Sequence, residues 1–225
     1  MAVRKKKKKI NMRRILVFFL MFVILCFVII FVLTMPIHNI YIKNNKIVSD
    51  DEVIKLSGLE NYPSFILTRS SLIRKKLKKN KYIDNVLVKK RLGNIIFITV
   101  YEYQMVALTK DNFIILSNGV KIDNSYDLSD VPVLINDISD KKIFLNFARK
   151  FGTIDTDILR QISEIEYSPL DVDDERFLLY MNDGNMVYVT LTKINKLNKY
   201  NNIKDKIENR KGIIYLDAGN YIELK

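Results

Sequence analysis

The chain holds one histidine, one cysteine and, in its first 35 residues, no acidic side chain. With only His38 and Cys26 to offer, it cannot assemble Ser-His or Cys-His nucleophiles or most zinc sites. Cys26 lies inside an apolar run, so no disulfide is expected. No glycine loop suited to cradling phosphate is present, and no internal repeat or disordered linker interrupts the chain. The densest acidic cluster, Asp171, Asp173, Asp174 and Glu175, lacks the glycine and ligand spacing of a calcium loop and reads as a solvated loop. Two distant carboxylates would suit a glycoside hydrolase, but one sequence cannot pair them. The expectation is a protein without catalytic residues, metal or cofactor.

What is present is organised around Ile15–Met35, twenty-one residues without a charge. A helix of that length rises ~31 Å, which matches the roughly 30 Å hydrocarbon core of a bilayer. None of its faces carries the polar stripe that a buried helix of a soluble domain keeps. Eight basic residues precede it: Arg4, Lys5, Lys6, Lys7, Lys8, Lys9, Arg13 and Arg14. Asp50, Asp51 and Glu52 come soon after. The positive-inside rule then places the N-terminus in the cytoplasm and residues from about 36 onward outside. A cleaved signal peptide has a shorter apolar region and a small-residue cleavage site; here the exit is Thr34-Met35-Pro36-Ile37-His38, so an uncleaved anchor is expected. The lysine run also matches a nuclear or nucleic-acid signal, but beside a span it reads as an orientation signal and a contact for anionic lipid.

The formal charge of +12 is largely topogenic, because beyond residue 35 there are 29 basic and 25 acidic residues. Nucleic acid is therefore not an expected partner. About 190 exterior residues suffice for one or two small domains, stabilised by packing alone.

Taken in order, Ile37–Ile42 suits a first strand and Asn44-Asn45 a turn. Ser49-Asp50-Asp51-Glu52 reads as a capping box, with Val53, Ile54 and Leu56 on the apolar side of a helix that stops at Gly58. The acidic triplet caps that helix and does not converge on a metal. Ser70 or Ser71 caps a second helix with Leu72, Ile73 and Leu77 inward. Strands follow at Ile83–Lys90 and Ile95–Tyr101, joined by Leu92-Gly93-Asn94. From Tyr103 the pattern changes to short strands. Asn118-Gly119 and Asn182-Asp183-Gly184-Asn185 mark hairpins, the first with positive φ expected at both residues. Asp140 caps a helix carrying Ile143, Phe144, Phe147, Ala148 and Phe151 that Gly152 ends, and a shorter helix covers about Thr156–Gln161. A helix after Thr192 turns Ile194, Leu197, Tyr200, Ile203 and Ile207 inward, and Ile213–Leu216 returns as the last strand.

The order strand, helix, helix, strand, strand directly outside a single span resembles a POTRA domain. Val100-Tyr101-Glu102-Tyr103-Gln104-Met105-Val106-Ala107 is similar to the V-x-E-x-x-P-V-A stretch that ends this module in the FtsQ/DivIB family of bacterial division proteins. Ile40-Tyr41-Ile42, Ile47–Val53, Phe113–Gly119 and Gly212–Asp217 match further pieces, in order along the whole chain. Leu92 and Met105 stand where proline is usual, and Asn44 where glycine is. The resulting expectation is an α+β protein divided as 1–14 basic cytoplasmic tail, 15–35 transmembrane helix, 36–103 POTRA domain (β-α-α-β-β) and 104–225 mixed β domain with flanking helices.

The resemblance implies a non-catalytic divisome scaffold at the division septum that helps assemble and regulate the septal cell-wall synthase complex. It implies that the end of the second domain binds FtsB/DivIC-type and FtsL-type bitopic coiled-coil proteins. By position this falls on Tyr215, Asp217, Ala218, Asn220, Tyr221 and Ile222. An exposed edge at Ile213–Leu216 would accept a strand from such a partner; alternatively Tyr215 and Tyr221 only cover the core. The chain stops at Lys225, and the long tail of some family members has no counterpart expected here. A second reading rests on Arg69–Arg91, with ten basic residues and one acid: Arg74, Lys75, Lys78 and Lys79 either form a solvated face or dock on anionic wall polymer or lipid.

Overall fold

The computed structural model describes residues 12–124, 131–207, 210–219 and 221–224. The chain divides at Glu102/Tyr103 into two compact units.

The first unit begins with helix α1, Met12–Thr34, whose mean hydropathy reaches 3.6 and which buries no residue. An apolar helix exposed on all sides is stable in lipid, where its backbone bonds are satisfied internally and its side chains meet hydrocarbon. It starts three residues earlier than Ile15, taking in Arg13 and Arg14, and ends where the Thr34 hydroxyl bonds back to the Ile30 and Phe31 carbonyls, both at 3.0 Å. Arg4 and Lys5–Lys9 lie outside the described residues.

After the helix come β1 Asn39–Lys43, α2 Asp50–Ser57, α3 Ser70–Leu77, β2 Ile83–Arg91 and β3 Ile95–Glu102. The sheet order is β1-β3-β2, with β1 parallel and β2 antiparallel to the central β3. Ile96, Ile98 and Val100 alternate inward from β3 and meet Val53, Leu59, Ile73 and Leu77. Ser49 accepts the Glu52 amide at 3.2 Å, and Gly58 closes α2 in the left-handed region at φ 75. The reciprocal half of the capping box is absent, because the Glu52 carboxylate instead accepts from the Asn80 side chain at 3.1 Å. Helix α3 is capped by neither serine: Arg69 occupies the position and makes no side-chain cap bond. Leu72 is exposed, since the i, i+4 pair Ile73 and Leu77 already faces the sheet.

At the end of β3 the Glu102 carboxylate accepts three successive amides, those of Lys46, Ile47 and Val48, at 2.9, 2.8 and 2.8 Å. These bonds hold the segment that leads into α2.

The second unit contains β4 Met105–Thr109, β5 Phe113–Leu116, β6 Lys121–Asp123, β7 Val133–Leu134, α4 Lys141–Phe151, α5 Thr156–Leu159, β8 Ile162–Tyr167, β9 Arg176–Met181 and β10 Met186–Thr190. A 3-10 helix at Leu191–Lys199, α6 Tyr200–Lys206, β11 Gly212–Tyr215 and β12 Tyr221–Leu224 complete it. The strands form one sheet in the order β12-β11-β10-β9-β8-β7-β4-β5-β6. With the three-stranded sheet and helices of the first unit, the class is the α+β expected from the sequence.

Asp140 caps α4 with bonds from the Lys142 and Ile143 amides. Phe147 and Phe151 then pack on Phe177 with ring centroids 5.2 and 5.7 Å away. Gly152 has right-handed backbone, so it is not a left-handed cap; a Cβ there would lie 2.3 Å from the Ser117 Cβ. At the Asn118-Gly119 hairpin only Gly119 has positive φ, 82, while Asn118 uses its side chain to accept the Val120 amide at 3.0 Å. The helix expected after Thr192 is mostly 3-10. Its inward residues Leu191, Ile194 and Leu197 recur every third position, which matches three residues per turn, and Tyr200 and Ile203 continue the inward row in α6.

Candidate partner-binding edge

The last strands are positioned from the β9–β10 turn. Asn185, nearly fully buried, accepts the Gly212 amide at 2.8 Å and donates to the Tyr200 hydroxyl at 3.0 Å. That hydroxyl donates to Asp183, whose carboxylate also meets Lys204 Nζ at 3.3 Å. Burial pushes the Asp183 carboxyl up, but the Asn185 amide, the Tyr200 hydroxyl and Lys204 outweigh it and hold its pKa below the ordinary value. Burial first, then Asp183, drives the Tyr200 phenol well above its usual range. One turn thus fixes both α6 and the first residue of β11.

Gly212 sits against backbone: a Cβ there would be 2.4 Å from the Glu223 carbonyl oxygen. Strand β11 pairs parallel with β10 on one side and antiparallel with β12 on the other. The sequence reading of Ile213–Leu216 as an edge strand is therefore wrong. The edge is β12, missed in the sequence because Tyr221–Leu224 turns a single residue, Ile222, to the core, too few to show a period.

Ile214, Leu216 and Ile222 point to the core, and the tyrosines occupy the other face. Rings of Tyr188 and Tyr215 stack at 5.3 Å, and those of Tyr215 and Tyr221 at 4.4 Å. Neither Tyr215 nor Tyr221 serves as the core cover that was the alternative reading. The Arg176 guanidinium lies 3.7 Å from the Tyr188 ring centroid and its Nε donates to Asp217 at 2.7 Å. Lys193 Nζ donates to the Asp217 carbonyl oxygen, and the Ala218 amide donates to the Asp217 carboxylate at 2.8 Å. Asp217 is thereby occupied in shaping the β11–β12 turn. On the same face the Tyr180 hydroxyl donates to Glu166 at 2.8 Å, a bond that, with burial, pushes its pKa up to about 12. Tyr221 ends this aromatic row at the edge, about half exposed at 51%. Asn220 lies outside the described residues.

The basic candidates are on the first unit. Arg74, Lys75 and Lys78 line a groove of ≈ 610 Å³ with Asn85, Val86, Leu87 and Tyr101, and no acid is among these residues. Lys79 is exposed but does not line it. Arg74 and Lys75 also complement the C-terminal end of the α3 dipole. Among the described residues no group of three or more His, Cys, Asp or Glu side chains converges as a metal site.

Residues 35–103 match the family model of the FtsQ-type POTRA domain. The chain is 31% identical over 228 residues to the cell division protein DivIB of Bacillus subtilis, covering 97% of this chain and 86% of that protein. It is 30% identical over 227 residues to DivIB of Geobacillus kaustophilus, with 96% and 86% covered. Among solved structures, the major extracytoplasmic domain of the trans isomer of DivIB from Geobacillus stearothermophilus matches 48% of this chain and 97% of that one, at 26% identity and a TM-score of 0.40. With near one-third identity to such proteins across almost its full length, the chain belongs to the DivIB family of bacterial cell division proteins, and its role lies in cell division.

Proposed function

We propose that this single-pass membrane protein is a non-catalytic scaffold that captures a strand from another bitopic division protein on the free edge of β12. The observation carrying this reading is the edge itself, whose outer ring Tyr221 continues a stacked row from β10 and β11. An incoming strand gains main-chain hydrogen bonds from β12, and Tyr221 offers it a rigid aromatic surface. FtsB/DivIC-type and FtsL-type proteins are the proposed partners, and the septum and its cell-wall synthase complex the proposed site of action. The basic N-terminal residues support an N-in orientation, with both units outside. Confinement to the membrane raises the effective concentration of such partners.

The test is the affinity of the full-length chain in nanodiscs for the exterior part of a DivIC-type protein. Tyr221→Lys is expected to raise Kd roughly thirtyfold, the scale of an interface hot spot. An unchanged Kd would remove the β12 edge from the interface.

A second reading is favoured by the acid-free lining of the groove beside α3. There Arg74, Lys75 and Lys78 bind an anionic wall polymer, with Lys79 adding to the local field. Reversing all four to Glu is expected to weaken binding to purified teichoic acid about tenfold at low salt, with the difference shrinking as salt screens it. Equal binding by both forms at low salt would return these residues to a solvated face.

A further inference from the structure

We infer that the first unit is docked on the outer leaflet of the bilayer through a ring of exposed apolar side chains around the exit of α1: Leu92, Leu67 and Ile66. The inference rests on α1 spanning the membrane. A helix of 23 residues rises ~34 Å, so its C-terminal turn lies at the boundary between hydrocarbon and headgroups.

Two segments are fastened to that turn. From one side, the Ser64 hydroxyl donates to the Leu33 carbonyl at 2.5 Å, the Phe65 amide to that of Met35 at 2.9 Å, and the Ile37 amide to that of Pro63 at 3.0 Å. From the other, the Asn94 side chain donates to the Pro36 carbonyl at 3.0 Å and the His38 amide donates to the Asn94 carbonyl at 2.8 Å. Topology demands the same placement. Because β1 leaves the bilayer parallel to β3, with Asn39 opposite Ile95, the β2–β3 turn must lie at membrane level.

The side chains these segments carry do not suit water. Leu92 at the tip of the turn is 98% exposed and Leu67 64%, and Ile66 beside it is exposed as well. Their loop is held rigidly, since Lys90 Nζ donates to the Phe65 and Thr68 carbonyls and lies 4.1 Å from the Phe65 ring centroid. Exposed Lys89 and Arg91 flank the tip at the depth where phosphates lie. Apolar side chains ringed by cations at the foot of a span match the interfacial layer of a phospholipid leaflet.

The chain contains no tryptophan, so a single introduced indole reports its own depth. The full-length protein is reconstituted in phosphatidylethanolamine and phosphatidylglycerol vesicles containing acyl-brominated lipid. Three variants are compared: Leu92→Trp, Leu67→Trp and, as a control in the same unit at the end of β3 far from that turn, Tyr101→Trp, where the native residue is 43% exposed. All three sites lie outside the core, so each variant folds. The expected result is blue-shifted emission and several-fold greater quenching at 92 and 67 than at 101. Emission at 92 and 67 that matches 101, whether all are quenched or none is, overturns the docking. Alkaline carbonate extraction of the same vesicles separates the two readings: release of the chain overturns the span as well, whereas retention with water-like emission at 92 overturns the docking alone.

Discussion

Replacing Gly212 by Val is expected to abolish partner capture, weakening affinity by a hundredfold or more, on the order of losing a whole hot-spot cluster. The backbone at Gly212 does not have positive φ, so conformational freedom is not what requires glycine. Space is. A Cβ would meet the Glu223 carbonyl oxygen at 2.4 Å and the Glu223 carbon and Leu224 Cα at 3.2 Å, all main-chain atoms of β12. A valine cannot be accommodated by turning a flexible side chain aside, so β12 must move away and the edge is lost with it. Of the second unit's core β12 contributes only the partly buried Ile222, so that unit remains folded. Hydrogen exchange should show the β11–β12 amides unprotected while those of β8 to β10 stay slow. Tight binding by Gly212→Val would contradict strand capture at this edge.

Glu102→Ala is expected to destabilise the first unit by about 3 kcal/mol, a large fraction of what a small domain possesses. Its carboxylate satisfies three amides that have no other partner among the described residues, and bonds to a charged acceptor are the strong kind. Alanine leaves the Lys46, Ile47 and Val48 amides without an acceptor and frees the segment that feeds α2. Glu102→Gln retains one acceptor oxygen but turns a donor toward a donor, so its loss should be smaller than alanine's. Denaturant melts of the two variants test this order. An alanine variant as stable as the parent would mean that water or a neighbour replaces the carboxylate.

The same glutamate illustrates what one sequence can and cannot reveal. Its presence in a Val-Tyr-Glu stretch was enough to suggest a family, yet its task depends on amides 54 to 56 positions upstream, which no local pattern encodes. Elements with a strong period were legible: the charge-free span, the Asp140-capped α4 and the alternating β3 all lie where their apolar spacing demands. Boundaries set by competition were not. Ser70 and Ser71 are good caps by type, but the pairing of Ile73 with Leu77 fixed the phase of α3 and left both inside it. Ile194, Leu197, Tyr200 and Ile203 repeat at three, a spacing shared by wide helix faces and 3-10 turns, and the packing decided between them. At the candidate edge, Tyr215 and Tyr221 were named from the resemblance, and the structure adds their strands: Tyr215 lies on the internal β11 and Tyr221 on the edge strand β12, whose single inward residue, Ile222, is too little to show a period. The clamp formed by Asp183, Asn185 and Tyr200 was hidden inside what read as an ordinary turn.

From β7 to β12 the sheet follows chain order, each strand taking its place beside the one before it. Such a sheet can grow as the polypeptide emerges, but β11 can join β10 in parallel only after the 3-10 helix and α6 have crossed back, and β12 joins after that. Under the strand-capture reading, the binding edge is therefore the last backbone of the sheet to come into existence. A chain still in transit exposes β10 or an uncovered β11, and neither carries Tyr221. On that reading partner capture is timed by completion: only a molecule delivered through residue 224 is equipped to recruit.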